Sequence, residues 1–135
     1  MVFRKSIGIL SIALCSAGWI AASNLHASTD GFSLKDLELH SAGALVDVCS
    51  IAPEHEHYAT ALAFCYGFFE GAIRYAEAIT GASYHKKLVC APPGTTRVEA
   101  VEVFVAYMND NSDYLDEAPI DGIYRALIPR WPCEE

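Results

Sequence analysis

Positive charge is scarce in this 135-residue chain: nine Lys and Arg stand against 17 Asp and Glu, a net charge of −8. That balance repels phosphate and leaves no basic stripe, which argues against a nucleic-acid binder. No C-x2-C pair is present to build a zinc site, and no G-x-S-x-G elbow to expose a nucleophilic serine. Charged residues make up only 19% of the chain against 53% hydrophobic, which excludes a disordered polymer. The length is too short for a barrel or doubly wound sheet and fits one small domain.

The longest uncharged run is at the start. Arg4 and Lys5 precede Ser6 to Ala22, which carries no charge, and Ala27 offers a small residue for cleavage, with Ala22 and Ser23 as rivals. This is the layout of a secretory signal peptide, although the run is just long enough for a membrane anchor. We expect residues 1–27 to be removed, Cys15 with them, because Leu14 is bulky where a lipoprotein signal needs a small residue. The product, residues 28–135, then has no stable membrane anchor. It carries seven basic against 17 acidic residues, a balance of −10. Its four cysteines, Cys49, Cys65, Cys90 and Cys133, form an even set in a short exported chain. Such a set implies two disulfides and an oxidising compartment.

Apolar spacing predicts four helices. Ser33 can cap a first one, with Asp36 near its positive end and Leu34, Leu37, Ala44, Leu45 and Val48 on one stripe. A second spans about 55–80, with Tyr58, Ala61, Leu62, Cys65, Phe69, Ala72, Ile73, Ala76 and Ile79 recurring every three or four residues until Gly81. Its other side carries Ala63, Gly67 and Gly71. Interior glycines cost about 1 kcal/mol each relative to alanine, so Gly67 and Gly71 are expected at a close helix crossing. If that face is exposed instead, a homodimer follows. After a loop held by Pro92 and Pro93, Thr96 and Glu99 form a capping box for a third helix with Val98, Val101, Val105 and Met108 inside. Its valines also suit a strand. Residues 109–117 are polar and acidic, hence an exposed loop. Pro119 opens a last helix with Ile120, Ile123, Tyr124 and Leu127 on one side, ended by Pro129 and Pro132.

The fold expected is a small all-α four-helix bundle closed by two disulfides. Four cysteines allow three pairings. Cys65–Cys90 and Cys49–Cys133 are favoured, because Cys65 lies deep in its helix and Cys49 would have to double back to reach it.

The run Phe64-Cys65-Tyr66-Gly67-Phe68-Phe69-Glu70-Gly71 resembles the C-x-G-[YF]-x-x-G helix of the Rap/Tai immunity proteins of type VI secretion. Cys90-Ala91-Pro92-Pro93-Gly94 resembles that family's C-x-P loop. Val98 to Met108 is similar to its amphipathic helix ending near a Tyr, here Tyr107. Ala126-Leu127 followed by Trp131-Pro132-Cys133 resembles its closing A-L…P-C element. The likeness covers about residues 46–133, and the aromatic pair Phe68-Phe69 is bulkier than the aliphatic pair of the pattern. It implies a periplasmic, helical, disulfide-bonded protein that neutralises a delivered effector toxin, by occupying its active-site cleft or preventing its assembly.

Catalytic and metal chemistry finds little support. His55-Glu56-His57 puts two imidazoles at i and i+2, which point apart on a helix. Asp110, Asp113, Asp116 and Glu117 lack the glycine and terminal glutamate of a calcium loop. Glu70, Arg74 and Glu77 read as a salt-bridged wet helix face rather than a carboxylate pair. No metal and no cofactor is implied, and we read a non-enzyme. The residues expected to bind a protein partner are Asp110, Asp113, Tyr114, Asp116 and Glu117. An aromatic ring among acids beyond a rigid helix makes a plausible anchor, and the alternative is that Tyr114 tucks into the core. Besides immunity, the size and acidity also fit a small periplasmic stress protein or chaperone, against which the two bridges count.

Overall fold

The computed structural model describes residues 33–82 and 85–134. The expected signal peptide, residues 1–27 with Cys15, lies outside the described residues. Among the described residues there are four α-helices and no strand: α1 (Ala42–Cys49), α2 (Tyr58–Gly81), α3 (Arg97–Asp110) and α4 (Pro119–Arg130). The small all-α bundle read from the apolar spacing is the observed fold. None of these helices is long and apolar enough to cross a membrane.

The first helix is shorter than its stripe suggested. Leu34–Leu37 forms a separate 3-10 turn, and α1 begins after Ser41, whose hydroxyl accepts from the Ala44 amide at 3.2 Å. The amides of Ala42 and Gly43 donate to the carbonyls of Glu117 and Leu115 at 2.7 and 2.8 Å. A helix N-terminus leaves such amides without intrahelical partners, and here a loop distant in sequence supplies them.

The apolar face of α2 behaves as its periodicity predicts: Ala61, Cys65, Phe69 and Ala72 are buried. In α3 the helical alternative wins over the strand, and the Thr96 hydroxyl accepts from the Glu99 amide at 3.2 Å. Its buried side, however, is Ala100, Val101, Phe104 and Met108, while Val98 is 47% exposed. The helix is turned from the expected valine stripe because Phe104, wholly buried, packs edge-on against Phe69 with centroids 5.5 Å apart. In α4 the buried residues are Gly122, Ile123, Ala126 and Leu127, and Ile120 is exposed. That helix runs one residue past Pro129 before the Trp131 amide closes it on the Leu127 carbonyl at 2.9 Å.

All four cysteines are bridged, but in a different pairing from the favoured one. The bonds are Cys49–Cys65, with Cα atoms 5.3 Å apart, and Cys90–Cys133, at 4.9 Å. Residues 50–57 do turn the chain back, so that Cys49 at the end of α1 lies beside Cys65, two turns into α2. From Cys65, α2 continues for roughly 24 Å to Gly81 at 1.5 Å per residue, which carries the following loop away from Cys65 and towards the chain end. Loop-closure entropy gives about 3 kcal/mol for the shorter bridge and about 4 for the longer, as upper expectations.

The close crossing sought at Gly67 and Gly71 is also elsewhere. Both glycines are exposed, and a Cβ at either would meet nothing within 4 Å. The tight approach is at buried Gly122, where a Cβ would stand 2.7 Å from the Ala42 Cβ and 3.0 Å from the Met108 Cε. Here α4 presses on α1 and α3, and only a residue without a side chain fits.

Candidate functional site

Three surfaces are available for recognition. The first is the acidic segment after α3. Asn111 ends that helix, its side-chain amide donating to the Tyr107 carbonyl at 2.8 Å, and Ser112–Tyr114 adds a 3-10 turn. The segment is less exposed than its composition suggested, since Tyr114 and Leu115 pack against the core. Tyr114 is held between Tyr107, nearly parallel at 6.4 Å, and the Arg125 guanidinium, 4.1 Å above its ring. Arg125 in turn grips both carboxylate oxygens of Glu117, one contact at 2.7 Å. The hydrogen bond to Glu117 raises the Arg125 pKa, so the guanidinium is firmly charged.

Of the five partner-binding residues read from the sequence, then, Asp110, Asp113 and Asp116 reach solvent. Glu117 is committed to Arg125, and Tyr114 supports the segment rather than projecting from it. The backbone carbonyls of Leu115 and Glu117 tie the same segment to α1, so the three free carboxylates stand on a braced platform.

The second surface is the outer side of α2. Gly67 and Gly71 leave the backbone open there, Phe64 and Phe68 stack at 6.2 Å, and Tyr75 is 69% exposed.

The third is a groove of about 420 Å³ between the C-terminal half of α2, residues 87–97 and the end of α4. Arg74 binds Glu70 and Glu77 at 2.8 Å each, as the spacing on the helix predicts, and Arg97 adds a second cation to Glu70 at 3.3 Å. The Tyr124 hydroxyl donates to the Ala72 carbonyl at 2.9 Å, and burial, aided by the Glu77 charge, pushes its pKa up. Sequence spacing identified the α2 ion pairs but missed Arg97, Lys87 and Trp131, which reach the groove from separate elements. The Pro92-Pro93 turn was the signal that residues 87–97 form a shaped loop. Its Gly94 takes a φ of 92°, a left-handed conformation that favours glycine.

His55 and His57 precede α2, with the His55 Nδ1 accepting from the His57 amide at 3.1 Å. Among the described residues no three His, Cys, Asp or Glu side chains come together to hold a metal ion.

Comparison with protein-family models matches the chain to Rap1a immunity proteins over residues 41–133. Searches of curated proteins and of solved structures each returned no match. The matched span takes in all four helices, both disulfides and the braced acidic segment, and on that footing the chain belongs to the Rap1a immunity protein family.

Proposed function

We propose that this protein is exported to the periplasm, its first 27 residues serving as a signal peptide, and there binds and neutralises a type VI secretion effector toxin. Membership of an immunity family across residues 41–133 carries the reading. The bridged cysteines support the oxidising compartment. The protein acts by binding rather than catalysis and uses no cofactor.

The acidic segment is the proposed contact. Asp110, Asp113 and Asp116 meet basic groups at the effector's cleft, while Tyr114 and Glu117 hold the segment in shape. Pre-ordering of this kind lowers the entropy lost on binding, and the balance of −10 on residues 28–135, seven basic against 17 acidic, speeds encounter with a basic partner. The open backbone at Gly67 and Gly71 favours one further element, pairing of two copies through the outer side of α2.

The test mixes the purified mature chain with the type VI effector encoded beside its gene. A stoichiometric complex by size exclusion with light scattering, and restored growth of cells carrying the effector in the periplasm, are expected. Replacing Asp110, Asp113 and Asp116 by Asn should weaken both. An effector that forms no complex and is not neutralised would overturn the reading. Sedimentation of the mature chain over a concentration series decides the pairing of copies.

A further inference from the structure

The groove beside α2 is at the opposite end of the bundle from the acidic segment. α3 runs from Arg97, on the groove, to Asp110, on the acidic segment, a distance of roughly 20 Å at 1.5 Å per residue. Its charge is also opposite. Residues 33–134 contain seven Lys and Arg, and four of them, Arg74, Lys86, Lys87 and Arg97, gather at or beside the groove. The two acids that line it are occupied, Glu70 by Arg74 and Arg97, and Glu77 by Arg74. Lys86 and Lys87 are exposed and enter no ion pair among the described residues. Between the cations lie apolar walls, with Leu88 49% exposed on the rim and Leu127 and Trp131 beneath.

We propose that this groove docks an extended acidic segment of a partner protein. One large apolar side chain of that segment seats against Leu88 and Trp131, and carboxylates on either side of it pair with Lys86 and Lys87. The volume suits such an anchor with its flanking backbone, and an apolar centre with a charged rim is the usual anatomy of a recognition site. A second copy of this chain is a poor occupant, because the apolar side chains of its acidic segment, Tyr114 and Leu115, are already packed against its own core. The site stands apart from the role assigned to Asp110, Asp113 and Asp116.

From residue 28 onward Trp131 is the single tryptophan, so all the indole emission comes from the floor of the groove. The mature chain is titrated with two pools of tryptophan-free acetylated hexapeptide amides. Each carries Leu or Phe at the third position, flanked by Asp and Glu in one pool and by Lys and Arg in the other. The acidic pool should shift the emission saturably, and the basic pool should not. The double variant Lys86→Glu/Lys87→Glu should weaken the response about fivefold or more, as losing and reversing two surface pairs implies. Leu88→Asp should weaken it too, and Asp113→Asn should leave it unchanged even if Asp113 is needed for effector binding. An unaltered melting temperature shows that each variant folds. Equal action of both pools, no saturable response by millimolar peptide, or a full response in the lysine variant would overturn the proposal. So would an emission that changes with protein concentration alone, which assigns the groove to a second copy.

Discussion

At one end of the bundle, residues 110–118 are joined to α1 by two backbone hydrogen bonds and braced by Arg125 against Tyr114 and Glu117. At the other, residues 85–96 are joined to the tail after α4 by the Cys90–Cys133 bond and by one hydrogen bond, from the Cys90 amide to the Trp131 carbonyl at 2.9 Å. The difference follows from side chains. The acidic segment has Tyr114 and Leu115 to place against the core, so ordinary packing and helix capping hold it. The groove segment exposes most of its residues and places only Val89 against the core, so a covalent link takes over.

Cutting that link gives the largest expected effect. Cys90→Ser/Cys133→Ser should cost up to about 4 kcal/mol in denaturant unfolding, the upper entropic expectation for a loop of this length. Hydrogen exchange should rise across residues 85–96, while the amides of Ala42 and Gly43 stay protected at low denaturant. Gly122→Ala attacks the other end, forcing a methyl group against Ala42 and Met108. Overpacking of this kind costs about 1–3 kcal/mol, and exchange should now rise at Ala42 and Gly43 first.

Gly67 and Gly71 lie on neither tether and serve as a control. Since nothing stands over them, Gly67→Ala and Gly71→Ala should each raise the stability of the single chain by up to about 1 kcal/mol through helix propensity. The same variants should weaken self-association if copies meet on that face. Tyr124 offers the finest contrast, at the groove end. Its raised pKa means that the folded state holds the phenolic proton more tightly than the unfolded chain. The resulting stability is fully present below the unfolded value of about 10 and is lost as pH rises through the folded one. Urea unfolding between pH 9 and 11 should show that loss in the native protein and less of it in Tyr124→Phe. At neutral pH the variant should lose about 1 kcal/mol for its missing hydrogen bond to Ala72.

The segments whose character was legible share a local cause. The face of α2 follows from 3.6-residue periodicity over 24 residues, the start of α3 from Thr96, and that of α4 from Pro119. The Glu70–Arg74–Glu77 pairs follow from i,i+4 and i,i+3 spacing. The misread features depended on a neighbour. Ser41 begins α1 because Leu115 and Glu117 accept its first amides, and Phe104 turns α3 because Phe69 is there to meet it. For the site, the acidic residues were visible as a run. That Glu117 and Tyr114 serve as supports required knowing that Arg125, in the second turn of α4, folds over them.

Composition and spacing were enough to establish a short bridged helical chain, because helix periodicity and cysteine parity are properties of neighbouring residues and of counts. Which cysteine meets which, which glycine lies at the crossing and where the cations gather are distances between segments far apart along the backbone. They are set when α1 turns back on α2 and α4 presses on both α1 and α3 at Gly122. Packing in three dimensions therefore chose between Gly67 and Gly122, and between Cys90 and Cys49 as the partner of Cys65.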